Sequence, residues 1–248
     1  RVLALGVLLG ATPMVAHMGS AINPSGPELA AGIAFFAAAC PLLYTPAARR
    51  DPTLLWHVGV AALGLASLRM AGPLFLFLAV VALLLPLRWA VLRDLWEWRG
   101  LRWWMVGVGS VGTASVIWTV TQKTADVGGH FVLDGPPLAT TQIAYLEAQR
   151  WRAYLDEMVG VTSWLDTRLP EFVYVVWLSA VAAVVLAGFV LASRLGRLRI
   201  AALALAGVVV PFLMTLRYAN EVGFITQGRY LMPLLVGVLI LAMYHIAE

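Results

Sequence analysis

Eight apolar blocks, most of them about 15 to 23 residues long, divide this chain, and about 20 apolar residues is what a helix needs to cross a hydrocarbon core. Inside lipid such a segment must satisfy its own backbone hydrogen bonds, which makes the helix its natural form. Hydropathy and chain breakers place the blocks at 2–18, 28–44, 54–69, 72–91, 103–121, 170–192, 200–217 and 230–247. Composition agrees: 12% of the residues are charged and 61% hydrophobic, where a soluble domain carries about 25% charged. The expected fold class is therefore all-α, a polytopic integral membrane helical bundle in one domain spanning residues 1–248. Arg1 leads straight into an apolar run with no initiating methionine, so the chain is expected to continue upstream into further helices. The single cysteine, Cys40, lies within a block, which excludes an internal disulfide and a cysteine metal cluster.

Charge sets the expected orientation. The short connections 45–52, 92–102 and 193–199 carry Arg49 and Arg50, then Arg93, Arg99 and Arg102, then Arg194, Arg197 and Arg199. With eight spans these connections share one side, which holds ten of the basic residues and four of the acidic ones; the other side holds seven and nine. Arginine-rich short loops stay cytoplasmic. The segments 19–28, 122–169 and 218–227 are thus expected outside, in a multi-pass protein of the bacterial cytoplasmic membrane. Trp98, Trp103 and Trp104 stand where an interfacial aromatic belt belongs.

The 122–169 loop is too long for a simple turn. Asp134-Gly135-Pro136-Pro137 signals a turn, and the stretch from Thr140 or Thr141 to Gly160 predicts one amphipathic helix with an N-terminal cap. Its apolar face is expected to be Ala144, Ala148, Trp151, Leu155 and Met158, with Glu147, Arg150, Asp156 and Glu157 elsewhere. Such a helix lies on the headgroups as a brace or covers a cavity as a lid.

Soluble-enzyme motifs are absent: no phosphate loop, no dinucleotide fingerprint, no H-E-x-x-H and no G-x-S-x-G. The histidines, His130 in the outer loop among them, lack ligand spacing. Nothing points to nucleic acid. The remaining candidates are polar groups at outer helix ends: Glu28, Arg69, Lys123, Asp126, Arg217, Gln227, Gly228 and Arg229. Ionisable groups near a membrane are costly and mark function, although an arginine at a span end also snorkels cheaply. Arg229 is the strongest. It stands at the start of the last span, where free N–H groups and the positive dipole end favour an anion; Gly228 leaves the backbone open to close approach. Arg217 is a possible second clamp. A lipid phosphate is the ligand this arrangement suggests.

Three segments, "WLDTRLPEFVYVVW" (164–177), "SAINPSGPE" (20–28) and "QGRYLMPLL" (227–235), resemble a bacterial family of predicted membrane proteins, domain of unknown function 2142, which looks related to the GT-C glycosyltransferases. The resemblance implies transfer of a sugar from a polyprenyl-phosphate donor to a glycan or lipid acceptor at the outer face, in cell-envelope glycan assembly. It further implies an acidic general base in the first outer loop, a basic residue at the leaving phosphate, and admits a divalent metal. Glu28 is the only acid in the first visible outer loop, so Glu28 and Asp126 are the candidate bases and the usual catalytic loop is expected upstream of Arg1. A transporter or lipid flippase, and a non-catalytic scaffold of the same fold, are the competing readings. Pro41, Pro86 and Pro211 lie in or near spans, yet no repeat pairs them as a transporter's broken helices require.

Overall fold

The computed structural model describes residues 2–21, 23–48, 50–122, 136–162, 166–224 and 226–247. Every apolar block forms a helix. The first is two helices, α1 (Val2–Gly10) and α2 (Pro13–Ser20), bent by 64°. Thr12 makes the break: its hydroxyl accepts the Val15 N–H at 3.4 Å, and Pro13 takes the first helical position, where its missing donor costs nothing. Next come α3 (Ser25–Tyr44), α4 (Pro52–Leu68) and α5 (Gly72–Leu84). The expected fourth span stops short at Leu84, because Pro86 has no N–H and disfavours helix in the residue before it. The chain then turns by 115° into α6 (Trp89–Glu97). The span α7 (Arg99–Thr121) follows.

Beyond the loop, α8 (Thr140–Gln149) and α9 (Trp151–Gly160) lead to a two-residue hairpin, β1 (Val161–Thr162) with β2 (Thr167–Arg168). Three long helices close the chain: α10 (Glu171–Leu191), α11 (Arg194–Val222) and α12 (Gly228–Ala247). Among the described residues five helices are long and apolar enough to cross a membrane, or up to seven spans if each bent pair counts as one; α4 is apolar but shorter.

The last helix is the axis of the bundle. Of α12's spanning window 78% is buried, against 6% for α7 and 11% for α10, so α12 is wrapped by protein while α7 and α10 present their sides to lipid. Around α12 pack α1, α3, α10 and α11, with α4 against α3 and α7 outside α4. The core joins Leu29, Phe36, Leu65, Leu83, Leu203 and Ile240. At 29 residues α11 is about 43 Å long, more than a hydrocarbon core of about 30 Å, and its far end reaches α8.

The two ends of the bundle differ. At one, Arg50 pairs with Asp94 at 3.1 Å, the Arg199 Nε donates to the Leu85 carbonyl at 2.8 Å, and Thr45 meets Tyr244 at 2.8 Å. These contacts join the basic connections 45–52, 85–98 and 193–199. At the opposite end the side-chain amide of Asn220 both donates to and accepts from the Leu138 backbone, and Arg150 donates to the Thr226 carbonyl at 3.1 Å. This is the segregation that the alternation of spans predicts.

Two expectations about the outer loop are corrected. The single helix is broken at Arg150 into α8 and α9. Its buried face is also different: Ala148 and Leu155 are exposed, whereas Glu147, Asp156 and Glu157 are buried with Ile143, Tyr154 and Val159. The acids go inward because each finds a donor there, which removes the usual cost of burying charge. The pair of helices caps the bundle end, α8 on α11 and α9 on α12, α2 and α10.

Candidate functional site

The capped end of α12 gathers the polar residues. Met18 ends the buried part of α2, and Gly26 lets the first turn of α3 press against it: a Cβ at Gly26 would stand 2.4 Å from the Met18 carbonyl oxygen. In the same first turn Glu28 is buried at 2% exposure. Arg69, the residue after α4, reaches across: its Nε lies 3.6 Å from the Glu28 carboxylate and its NH1 donates to the Ser25 hydroxyl at 2.5 Å. Its guanidinium also lies over the Tyr230 ring, 4.3 Å from the centroid.

Arg229 approaches the same ring from its own side, at 5.4 Å. Its surroundings are unusual for a guanidinium. The NH1 points at the Met18 sulfur at 3.5 Å, a weak acceptor, and the Nε is buried with no hydrogen-bond partner. Among the described residues no carboxylate stands within ion-pair distance of it. The neighbouring Gln227 Oε1 is likewise buried and unpartnered. Native proteins leave few buried polar atoms unmatched, and those few call for a ligand, a water or a strained role. Here a donor and an acceptor lie unmatched two residues apart.

An anion does sit at the start of α12, and it belongs to the protein. The Gly228 N–H donates to the Glu157 carboxylate at 2.5 Å. Gly228 is needed for that contact, since a Cβ would stand 2.2 Å from the Tyr154 carbonyl oxygen. In the structure α9 occupies the space beside the Gly228 backbone that the sequence leaves open to a phosphate. Arg217 is not brought to this place: it is exposed and donates to Glu221, one turn on in α11. Lys123, Asp126, His130 and the turn at Asp134–Gly135 lie outside the described residues.

Burial pushes the Glu157 carboxyl above the ordinary 4.5; the Gly228 N–H, Arg150 and Arg229 pull it down and Asp156 raises it, with burial the largest effect. A glutamate whose folded value is raised binds its proton more tightly folded than unfolded, so stability is highest below 4.5 and falls as pH rises through the raised value. The α9–α12 junction should accordingly loosen with rising pH, read as faster amide exchange in 154–160. Glu157→Gln should flatten that dependence; an unchanged profile in the variant would show that another group sets it.

Behind the junction lies a second buried acid. Glu147, 1% exposed, accepts from the Tyr154 hydroxyl at 2.9 Å, Thr215 at 3.2 Å and Arg150 at 3.4 Å, and Thr215 shares a 2.8 Å bond with Thr226. Burial, then the hydrogen bond to Glu147, pushes the Tyr154 phenol upward, so it remains a donor. At the far end of α9, Arg168 binds Asp156 at 2.8 Å, and the Tyr174 hydroxyl donates to the Gly160 carbonyl at 2.8 Å.

The three segments singled out in the sequence therefore meet here. Residues 25–28 hold Arg69, the 227–230 run supplies Arg229 and Tyr230, and Arg168 and Tyr174 fix α9 over both. Sequence reasoning missed Ser25, Tyr230, Met18 and Glu157. Tyr230 adjoins Arg229 and Ser25 lies inside a quoted segment, so proximity in sequence was an available signal for two; Met18 and Glu157 are joined only by the fold. A divalent metal is not fitted by these residues: Glu28 is turned to a guanidinium, and among the described residues no three His, Cys, Asp or Glu side chains come together.

A family model described as "Predicted membrane protein (DUF2142)" matches residues 1–238. No curated protein and no solved structure matches the chain. The likeness to GT-C enzymes thus rests on the sequence segments alone.

Proposed function

Since the chain belongs to this family of predicted membrane proteins, DUF2142, we propose that it binds a lipid-linked phosphate at the outer membrane face and transfers the attached sugar. The observation that carries the proposal is Arg229, a guanidinium with a buried, unmatched Nε beside a buried, unmatched Gln227 Oε1. A glycosyl phosphate supplies the complement of both: phosphate oxygens for Arg229 and a sugar hydroxyl for Gln227. Arg69 adds a second cation across Tyr230, held in place by Glu28 and Ser25. Gly228 and Glu157 hold the start of α12 and take no part in the phosphate contact. The polyprenyl carrier, the glycan or lipid acceptor and the cell-envelope setting come from the resemblance to GT-C enzymes.

In this reading the acceptor oxygen bonds to the anomeric carbon as the bond from that carbon to the phosphate oxygen breaks. The electron pair leaves on the phosphate, where Arg229 and Arg69 stabilise it. The acceptor proton passes to a carboxylate, for which Glu28 and Asp126 are the named candidates.

The test is transfer in vesicles containing the purified protein and a polyprenyl-phosphate sugar. Labelled sugar should move to the acceptor lipid or glycan and leave polyprenyl phosphate behind. Movement of intact donor between leaflets with no transfer would overturn the enzymatic reading in favour of a flippase. Asp126→Asn then separates the bases: if Asp126 is the base this variant loses turnover without losing donor affinity, whereas Glu28→Gln, which also frees Arg69, lowers both.

A further inference from the structure

At the arginine-rich end, α3, α4, α5 and α7 fail to close on one another. They leave an apolar crevice of about 330 Å³ with Leu42, Leu55, Trp98 and Trp104 among its walls, and Arg50 and Asp94 at its polar edge. A shallower recess adjoins it, sharing Leu76, Val80, Val108 and Gly109 and continuing along α7 to Ile117. The 13 residues of α5 rise about 20 Å, so the furrow between α5 and α7 has the length of one extended acyl chain. Both helices border the bilayer, and α7 is almost unburied. Water is not stable in such a lining, whereas hydrocarbon is.

The rim determines which lipid enters. Helix α6 lies across this end after the 115° bend, with Trp89 and Trp96 exposed and none of its residues buried, as an interfacial helix does. Arg50 and the stretch 88–102 together bring five arginines (Arg50, Arg88, Arg93, Arg99, Arg102) against Asp51, Asp94 and Glu97. Asp51 caps α4 through the Thr53 N–H at 2.7 Å, Glu97 is held by Arg93 at 2.8 Å and Asp94 by Arg50 at 3.1 Å, so the five arginines exceed the three acids by two and this end keeps a net positive charge. Basic pockets between spans on the cytoplasmic side bind anionic headgroups.

We propose that this crevice is a binding site for an anionic phospholipid of the adjacent leaflet. One acyl chain fills the space between α5 and α7, and the phosphate is seated on Arg50 and the arginines flanking α6. The site lies at the end of the bundle opposite Arg229 and does not depend on the transfer reaction.

Trp98 and Trp104 make the occupancy measurable. The full chain is reconstituted in phosphatidylcholine vesicles containing a small fraction of brominated phosphatidylglycerol or, in parallel, brominated phosphatidylcholine. Bromine quenches tryptophan on contact, so the anionic lipid should quench more at equal fraction. Gly109 lines the crevice and a Cβ there meets nothing within 4 Å, so a side chain can enter at this position, and Gly109→Leu, which projects into the space, should remove the excess. Gly107 is equally open but does not line the crevice; Gly107→Leu should keep the excess, and both changes favour helix. Arg50→Asn removes a charge at a backbone with φ 68°, which asparagine tolerates, and should weaken the anionic lipid about fivefold. Equal quenching by the two lipids, or an excess that survives Gly109→Leu, would overturn the site.

Discussion

Arg229→Gln is expected to slow sugar transfer about a hundredfold or more, the loss that follows removal of one preorganised donor to a developing anion, while leaving thermal stability unchanged or higher. The second half is the sharper. If Arg229 were a structural anchor, removing it would break contacts and lower stability. Its Nε is instead buried without a partner and its NH1 faces a thioether; what it does hold is a hydrogen bond to the Tyr230 side chain. A half-buried guanidinium whose buried Nε lacks an acceptor costs free energy, and a neutral side chain of similar length relieves that cost. Sites that hold such strain for a ligand give up activity when it is removed and gain stability.

Arg69→Gln should behave differently. Arg69 faces Glu28, which is buried, so the change strips a buried carboxylate of its cation. Stability should fall together with activity, and Glu28→Gln combined with Arg69→Gln should restore part of the stability and none of the activity. Loss of stability in Arg229→Gln of the same size as in Arg69→Gln would sink the assignment of Arg229 to a ligand.

The sequence carried the helices and the segregation of charge, because both depend on local patterns of apolar residues and arginines. It also pointed to Arg229 and Arg69, since a charge at a span end stands out in a chain so apolar. What it hid was burial on the outer hairpin. Periodicity gave α8 and α9 an apolar face through Ala148 and Leu155, but the protein buries Glu147, Asp156 and Glu157 there. Glu147 has local donors in Arg150 and Tyr154, but Thr215, Arg168 and the Gly228 N–H lie 12 to 71 residues away from the acids they bind, and those partners a local window does not show. The same holds for Gly228: alone it looks like an open backbone, and only the position of Tyr154 shows that α9 fills the space. The break at Pro86 was legible as a proline, but the direction of the chain beyond it was not.

Glu147→Ala should be the most damaging single change outside the arginine pair, lowering stability by about 3 kcal/mol. Its carboxylate is the common acceptor for Tyr154, Thr215 and Arg150, and Tyr154 is fully buried. Without Glu147 the phenol keeps its proton and has nothing to give it to. Arg150 is partly exposed and recovers some hydration, so the loss stays at the lower end for a broken buried pair. Glu147→Gln isolates the charge: the amide oxygen still accepts from Tyr154 and Thr215, and the expected loss is about 1 kcal/mol. Tyr154→Phe in the Glu147→Leu background should recover stability relative to Glu147→Leu alone, because replacing both partners removes the unmatched donor. Thermal unfolding in detergent gives the order, and proteolysis within 136–162 shows whether α8 and α9 lift before the bundle melts. If Glu147→Ala and Glu147→Gln unfold together with the unaltered protein, the acid is no keystone of the cap and α9 is held by Asp156 and Glu157 alone.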